Sequence, residues 1–506
     1  MTSADFRSVR PTYEPPDISW LEQGGSPLPA GFLWGVANAG YQVEGGYNGP
    51  GQPRNNWAPW EQAGRVEPSG AVVRFWDGYA RHFDLAEGIG LNAFRLSLEW
   101  TRLQPFGPGE PDAAAVAHYA DILAAARERR LEPVVTLHHF THPAWLGADP
   151  WVDGAGPAAF ASHVVQAVAA VGRALIERGQ APVRWWITLN EPNIFAFMAY
   201  LLGQHPHEAT PTPDRFRRAL DQLMTAHVLA YRSIHATSTQ EGWDRPSVGL
   251  NTYAMTAYPL DRGLHDLQIG RETGATRLGL AKVLQDGRER FLDAVEELRG
   301  NVAVLGDGVL ERTLLPFLPE ALPSFVNALY DGDPVTHDFA GIDYYVGPLS
   351  DYVRSPFGWR HRDRQNSVVA ELWETTIRPE GLRMFVAAND HPDAPKPVLI
   401  AENGMCTQGR GGMNRPRADG WTRPAFIRAH VAELLTAARA GHPVAGYLHW
   451  TLVDNYEWGS YEPRFGLFGV DRQGEEPVIL SADAQGMDAA GAYRDVIAAV
   501  RAAQAG

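Results

Sequence analysis

Short apolar runs rich in β-branched and aromatic residues alternate along this chain with longer segments in which apolar residues recur at spacings of three and four. The first pattern is typical of buried strands and the second of amphipathic helices. Helical patterns of this kind cover 114–130, 158–178, 214–236 and 422–440. Eight strands are predicted, at 33–39, 93–98, 133–139, 184–190, 248–253, 339–346, 398–402 and 446–451.

The repeated alternation of strand and helix predicts an α/β protein, and eight such units favour a single (β/α)8 TIM barrel with long βα loops. An open doubly wound sheet is the alternative, but that fold usually carries a Gly-rich phosphate loop after its first strand. Here the turn at 38–42 has no GxGxxG or Walker pattern. We therefore predict an N-terminal arm over 1–31 and a barrel catalytic domain over 32–506, with 255–337 as an excursion above the barrel.

Composition and charge narrow the classes of function. The 506 residues are 45% hydrophobic and 20% charged, which is typical of a globular protein and excludes a disordered one. The formal net charge is -15. Because binding to a phosphate backbone relies on clustered Lys and Arg, this charge disfavours a nucleic-acid partner.

The cysteine count and the N-terminal segment bear on cellular location. Cys406 is the single cysteine, so no intramolecular disulfide can form, which suits a reducing cytoplasm. The first thirty residues are polar and interrupted by prolines, with no stretch that resembles a signal peptide. Eighteen consecutive apolar residues occur nowhere. We expect a soluble cytoplasmic protein without a membrane partner, and the sequence does not indicate its oligomeric state.

Polar residues crowd the carboxyl ends of the predicted strands. In a β/α barrel these ends build the active site, whereas the opposite face mostly serves stability. The residues concerned are Gln42, Glu44, Arg95, Glu99, His138, His139, Asn190, Glu191, Asp343, Tyr344, Tyr345, Glu402, Asn403, His449, Trp450, Asp454 and Asn455.

Two of these residues, Glu191 and Glu402, are carboxylates that end apolar strands on nearly opposite sides of the ring. Glycoside hydrolysis needs such a pair, one carboxyl protonated to assist the leaving group and one ionised to attack or to activate water. Arg95 could hold one of them ionised. The chain also has 16 tryptophans, whose flat faces pack well against sugar rings. A simpler interpretation is that each Glu forms a salt bridge at the barrel rim.

Three other chemistries are weaker. A metal-dependent hydrolase would use His138, His139 and His142, but adjacent strand residues point to opposite faces, so at most one of the first two reaches the lumen. Lys282 and Lys396, the only lysines, lie in the excursion and at the stability face, which disfavours a Schiff base. Cys406 is interpreted as a rim cysteine without a catalytic role.

Five segments carry a resemblance to a known family. They are FLWGVANAGYQVEG (32–45), NAFRLSLEW (92–100), TLNEPN (188–193), IAENG (400–404) and DNYEW (454–458). In this order they resemble glycoside hydrolase family 1, which contains retaining β-glucosidases and their relatives.

The resemblance implies roles for individual residues. Glu191 matches the family's general acid/base and Glu402 its nucleophile, in a double displacement that needs no metal or cofactor. Arg95 and Tyr345 match the residues that support the nucleophile. The positions that match the family's substrate contacts are Gln42, His139, Asn190, Tyr345, Trp450, Glu457 and Trp458. The implied substrate is a small β-glycoside.

The chain departs from the family pattern at several positions. Asp343 stands where the family usually has Asn, Ala401 replaces a Thr, Phe140 replaces a frequent Trp, and the turn at 458–461 is a residue shorter. Members that act on 6-phospho-sugars carry a lysine after strand eight where this chain has none, which implies an unphosphorylated glycone. The choice among glucose, galactose and fucose as the glycone stays open, and so does the aglycone. Transfer of the sugar to an alcohol instead of water also stays open. A non-catalytic sugar-binding barrel is a further alternative, although both carboxylates are present.

Overall fold

A computed structural model describes residues 13–23, 25–299, 317–345, 372–410, 413–474 and 476–505. Its centre is a closed barrel of eight parallel strands in which each strand pairs with the next and the last pairs with the first. The strands are β1 (Leu33–Ala37), β2 (Ala93–Ser97), β3 (Glu132–Thr136), β4 (Trp185–Asn190), β5 (Ser247–Tyr253), β6 (Phe339–Tyr344), β7 (Val398–Asn403) and β8 (Val444–Trp450). The predicted TIM barrel is confirmed.

The longer helices form a ring around the strands. They are α1 (Phe75–Ile89), α2 (Ala113–Glu128), α3 (Gly156–Glu177), α4 (Pro213–Glu241), α5 (Arg262–Glu272), α6 (Leu280–Ala294), α7 (Pro323–Tyr330), α8 (Glu380–Asn389), α9 (Arg423–Arg439) and α10 (Ala489–Ala505). The ring closes where α10 packs against α1. Although α3 is long and apolar enough to cross a membrane, it packs between α2 and α4 and buries Phe160, Val164 and Leu175 as a ring helix does.

Shorter elements fill the loops. The helical turns are Ser19–Gln23, Gly40–Val43, Ala58–Gln62, Trp100–Leu103, Ala144–Leu146, Pro150–Asp153, Pro192–Ala196, which continues into Phe197–Leu201, Arg277–Gly279, Glu296–Arg299, Leu318–Ala321 and Leu372–Glu374. A small antiparallel sheet joins Thr407–Arg410 with Met413–Arg415 and Pro463–Arg464, and a second joins Val470–Asp471 with Val478–Ile479. These sheets follow β7 and β8, so they lie at the carboxyl face of the barrel.

One apolar layer fills the barrel interior and another separates the strands from the helices. The interior layer takes one residue from most strands: Leu33, Ala93, Val134, Ile187, Phe339, Leu399 and Leu448. At Gly249 in β5 an added Cβ would lie 2.8 Å from the Phe339 ring, so this strand contributes only backbone there. The interior is thus a packed core on which the polar end of the barrel rests.

The described helices of the segment 255–337 lie in the ring and not above the barrel, so the interpretation of these residues as an excursion is wrong, and residues 300–316 lie outside the described part. Within its described residues, α5 and α6 pack together, α7 packs against α4, and α6 packs against α8. These helices fill the ring between α4 and α8 at the side of the barrel. Three amphipathic helices stand where a β/α barrel usually has one helix between two strands. The periodicity of apolar residues predicts such helices but does not show where they pack.

The described part of the predicted N-terminal arm runs over the last two helices of the ring. Tyr13 donates to the backbone oxygen of Ala429 (3.4 Å) and to Glu433 (3.3 Å) in α9. The Arg439 guanidinium lies 4.6 Å from the centre of the Trp20 ring. The boundary at residue 31 stays a prediction, and residues 1–12 lie outside the described part.

Register shifts interrupt the strand pairing near the carboxyl ends of β4 to β8. One falls between Ile342 and Asp343 where β6 pairs with β7. In β7, Leu399 and Ala401 pack in the interior and Ile400 faces the helices, so strict alternation would turn Glu402 away from the barrel axis. Glu402 instead bonds to the inward-facing Arg95. Irregular pairing of this kind commonly re-aims a side chain beside an active site.

A buried ion pair outside the cluster around Arg95 tests how much the fold depends on paired charges. Arg423 at the start of α9 and Asp483 before α10 are fully buried, 2.8 Å apart. Asp483→Asn leaves the guanidinium without a counter-charge, so we expect a loss of about 3 kcal/mol in the free energy of unfolding. Asp286→Asn, which breaks the exposed pair with Lys282, is expected to cost less than about 1 kcal/mol. Urea unfolding followed by Trp fluorescence measures both, and equal losses would contradict the expectation.

Candidate active site

Arg95 stands at the centre of the polar face. Its guanidinium is fully buried and donates to Thr136 (3.0 Å), to the backbone oxygen of Ala401 (3.1 Å), to Glu402 (2.7 Å) and to Asn190 (2.5 Å). These groups come from β3, β4 and β7, so one side chain from β2 ties three other strand ends together. Arg95 thus lies beside the carboxylate of Glu402, and its role in supporting a nucleophile stays a prediction.

Glu402 is held by two donors. One oxygen accepts from Arg95, and the other accepts from the hydroxyl of Tyr345. Burial raises the pKa of Glu402 above its ordinary value, while Arg95 and the Tyr345 hydrogen bond act in the opposite direction. The two donors therefore favour the carboxylate form that a nucleophile needs.

Glu191 faces Glu402 across the site. It follows β4 with a left-handed backbone (φ 41°, ψ 58°), directly before the Pro192 that starts a short helix. Oxygens of Glu191, Glu402 and Asp343 all lie within 4.8 Å of one another. Burial raises the pKa of Glu191 well above its ordinary value, and the charges of Asp343 and Glu402 add to this effect. Glu191 is therefore suited to carry a proton at neutral pH.

A chain of hydrogen bonds fixes Asn190. Its Oδ1 accepts from Arg95 (2.5 Å) and from Asn251 (2.6 Å), so its Nδ2 is left as the donor that points elsewhere. Asn251 also donates to Asp343. Sequence reasoning missed Asn251 and Thr136, although an amide inside the apolar run 248–253 was an available signal.

Aromatic rings form one wall of the site. The His139 ring stacks on Trp450 (5.8 Å between ring centres) and on Trp458 (5.6 Å). Trp458 also stacks on Trp57 at 5.5 Å. His138 instead packs among residues of the helix side such as Trp151, so one of the two neighbouring histidines faces the site, as predicted.

Gln42 and Glu457 meet at the far side of this wall. The Gln42 amide donates to Glu457 at 3.3 Å, and Glu457 also bonds to Trp450. In the described part of the chain, Gln42 Oε1, His139 Nδ1 and Asn190 Nδ2 are buried without a hydrogen-bond partner. Buried polar atoms normally find partners, so a face with such atoms suits a ligand rich in hydroxyl groups.

Some strand-end residues singled out by the sequence serve another purpose. Glu44 pairs with Arg102 at 2.6 Å, and Glu99 accepts from Thr141 (2.7 Å) and from the backbone of Tyr41 (3.1 Å). This network holds the turn Gly40–Val43 that carries Gln42. The ten predicted site residues, in contrast, form two groups of contacting side chains. One contains Arg95, Asn190, Glu191, Tyr345 and Glu402, and the other contains Gln42, His139, Trp450, Glu457 and Trp458. The charges of Glu402 and Arg95 act on Glu457 and His139, so the two groups lie close together.

Metal, Schiff-base and thiol chemistry are poorly served by the described residues. The carboxyl trio Glu191, Asp343 and Glu402 has the spacing of a cation site, but Arg95 already occupies one side of Glu402. The two lysines pair with Glu272 and Asp286 away from the trio. Burial raises the pKa of the Cys406 thiol, which disfavours a thiolate.

The fold and this cluster define a class of protein, a β/α barrel hydrolase with a carboxyl pair at the carboxyl face. Comparison with known proteins agrees. The model of the family described as Glycosyl hydrolase family 1 matches residues 25–484. The chain therefore belongs to glycosyl hydrolase family 1, whose general mechanism is retaining, and the predicted family is confirmed.

Individual relatives are distant but nearly full-length. The chain is 26% identical over 463 residues to Beta-glucosidase A of Thermotoga maritima and 26% identical over 487 residues to a 6-phospho-beta-galactosidase of Staphylococcus haemolyticus. Each match covers 89% of this chain and 95% of the relative. The solved structure of a Thermotoga maritima beta-glucosidase with castanospermine has a TM-score of 0.68 at 22% identity, covering 94% of this chain and 98% of the other.

Glu457 gives a pH test of the site. Burial and the charge of Glu402 raise its pKa from 4.5 to about 8. On raising the pH the unfolded chain therefore loses this proton first, so stability present below the ordinary pKa is lost as the pH rises toward about 8. We expect Glu457→Gln to weaken the fall in melting temperature over this range. Equal slopes for the two proteins would contradict this, and the values at the acidic end serve as an internal control.

Proposed function

We propose that this protein hydrolyses terminal non-reducing β-D-glycosides with net retention, as a β-glucosidase-like enzyme. The observation that carries the proposal is the spacing of the carboxyl pair. Oxygens of Glu191 and Glu402 lie within 4.8 Å, and retaining glycosidases place these groups about 5–5.5 Å apart, against about 6.5–9.5 Å in inverting enzymes. Too little room is left between them for an inverting water.

The proposed reaction has two steps. Glu402 attacks the anomeric carbon while protonated Glu191 gives its proton to the departing oxygen, which leaves a glycosyl ester on Glu402. Water then attacks the ester, Glu191 takes the water's proton, and Glu402 is released as a carboxylate. The pKa of Glu191 should fall in the intermediate, because the ester removes the neighbouring negative charge.

The remaining site residues are proposed to bind the glycone. Asn190 Nδ2 is oriented to donate to the hydroxyl next to the anomeric carbon, while Tyr345 and Arg95 hold the nucleophile. Gln42, His139 and Glu457 would bond the outer hydroxyls, and Trp450 and Trp458 would pack against the sugar ring. Because Glu457 is acidic and both lysines lie elsewhere, we propose an unphosphorylated glycone, although one relative is named a 6-phospho-beta-galactosidase.

The setting of the enzyme is part of the proposal. We propose a cytoplasmic enzyme that acts on small molecules, without a nucleic-acid or membrane partner, on the basis of its net charge of -15 and its single cysteine. A transglycosylase would use the same residues and differ only in the acceptor. Product analysis with added alcohol separates the two activities.

Glu402→Ala tests the nucleophile. We expect kcat on nitrophenyl β-glucoside to fall by about 10³-fold or more, because the covalent step is removed. Added azide should restore activity and give the α-configured glycosyl azide, since a small anion can attack from the vacated side. All assays contain a chelator, so that an essential metal would be detected. Rates on nitrophenyl β-galactoside and β-fucoside, compared with the β-glucoside, establish the order of preference among glycones.

Cys406→Ala is the control for the same strand end, and it should keep the wild-type rate. Equal rates for wild type and Glu402→Ala would refute the nucleophile assignment. Loss of wild-type activity in chelator would point to a metal at the carboxyl trio instead.

Glu191→Ala tests the general acid. We expect kcat/KM to fall by about 10²–10⁴-fold for glycosides with poor leaving groups and far less for 2,4-dinitrophenyl glycosides, which depart without a proton. The comparison of leaving groups within one variant controls for misfolding. An equal loss on both substrates would contradict the assignment.

A further inference from the structure

The active site holds a third carboxyl group, Asp343, for which the two-carboxylate mechanism has no use. Asp343 lies in β6, is fully buried, and pairs in register with Glu402 of β7. One of its carboxyl oxygens lies within 4.8 Å of an oxygen of Glu191, and each of these two carboxyl groups shifts the pKa of the other. A side chain so close to both reacting groups must affect how they hold their protons.

Charge balance shows that the three carboxyls cannot all be ionised. Among the described residues, Arg95 is the cation in contact with the trio, and its hydrogen bonds go to Glu402 and not to Asp343 or Glu191. Glu402 is therefore the member whose charge is compensated. Two further buried negative charges would be uncompensated, so Glu191 and Asp343 together retain at least one proton.

Hydrogen bonds decide whether Glu191 or Asp343 retains this proton. Asn251 donates to one oxygen of Asp343, which favours the ionised form of that group. Asp343 Oδ1 and Glu191 Oε1 are both buried, and the described residues supply no donor to either. A single proton on Glu191, shared with Asp343, leaves the pair with one negative charge and gives these two carboxyl groups a mutual hydrogen bond.

We propose that Asp343 is a positioning residue that accepts a hydrogen bond from protonated Glu191 and so keeps the general acid protonated until the glycosidic oxygen takes the proton. This inference rests on the proposed function. In the first step the proton moves from Glu191 to the leaving oxygen while Glu402 forms the ester. In the second step water supplies the proton that returns to the pair, so atoms and charge balance over the cycle.

Other titratable groups surround Glu191 and Asp343. Arg95 and Tyr345 interact electrostatically with all three carboxyl groups of the trio. Glu457 interacts with Glu402, and His139 interacts with Arg95. Burial and the charge of Glu402 raise the pKa of Asp343 well above its ordinary value, which agrees with a shared proton. Both oxygens of Glu402 already accept from Arg95 and Tyr345, whereas Asp343 Oδ1 has no donor among the described residues and can accept from Glu191.

The test is the pH profile of kcat/KM for wild type and Asp343→Asn on a β-glycoside that the wild type hydrolyses. Asn keeps the size of the side chain but cannot share a proton. In Asp343→Asn we expect the alkaline limb to lie lower than in wild type by about one pH unit or more. At a pH above the limb, kcat/KM would then be roughly tenfold lower than in wild type. For a 2,4-dinitrophenyl glycoside the shift should be much smaller, because its departure needs no acid.

Two further variants separate this role from a merely structural one. Asp343→Glu restores a carboxyl group and should bring the limb back toward the wild-type position. Asp221→Asn makes the same change at a buried aspartate of α4 that accepts from the backbone of Phe325 and lies outside the active site, and it should leave the limb in place. Melting temperatures identify variants that fail to fold, and Asp343→Ser then replaces Asp343→Asn.

The outcomes are distinct. An unchanged or raised alkaline limb in folded Asp343→Asn would overturn the role of Asp343 and leave the proposed function standing. An equal shift of the limb in Asp221→Asn would also overturn this role. A wild-type protein that hydrolyses no β-glycoside, or a Glu402→Ala variant as active as the wild type, would instead refute the proposed function.

Discussion

The polar face depends on the buried Arg95 guanidinium. Burying the guanidinium alone would cost free energy, and so would burying the carboxyl groups around it. Placed together, the cation and the carboxyl groups reduce each other's cost of burial. Because Arg95 bonds to side-chain or backbone atoms of β3, β4 and β7, the position of Glu402 relative to Asn190 is set by one rigid planar group. A lysine could not make these directed bonds, so the geometry of the site follows from the residue type.

Strain is concentrated around the same face. Glu191, Phe140 and Trp458 have positive φ values of 41°, 65° and 43°, a backbone region that non-glycine residues rarely adopt. Each lies just beyond a strand end or in a loop against the aromatic wall. Conformations of this kind persist only when the surrounding packing imposes them, and here the interior core and the stacked rings provide that packing. The regular barrel thus supports an irregular rim.

The barrel could be predicted from the sequence because the periodicity of apolar residues and the spacing of strands are local properties. Glu191 and Glu402 could be predicted because polar residues at the ends of apolar runs are conspicuous. The sequence interpretation misplaced 255–337, since amphipathic helices look the same above a barrel and beside it. It also missed Asn251, whose role depends on contacts with Asn190 and Asp343 from other strands. Register shifts between strands, which turn Glu402 inward, have no signature in a single strand.

Charge balance also bears on what the site can accept. The trio lies beside Arg95, Glu457 interacts with Glu402, and burial raises the pKa of all four acidic groups. A neutral sugar adds no charge to this set and can offer hydroxyls to Gln42, His139 and Glu457. A phosphorylated sugar would bring about two more negative charges to a face whose carboxyls already retain protons. The same imbalance that gives Glu191 its proton thus supports the proposal of a neutral glycone.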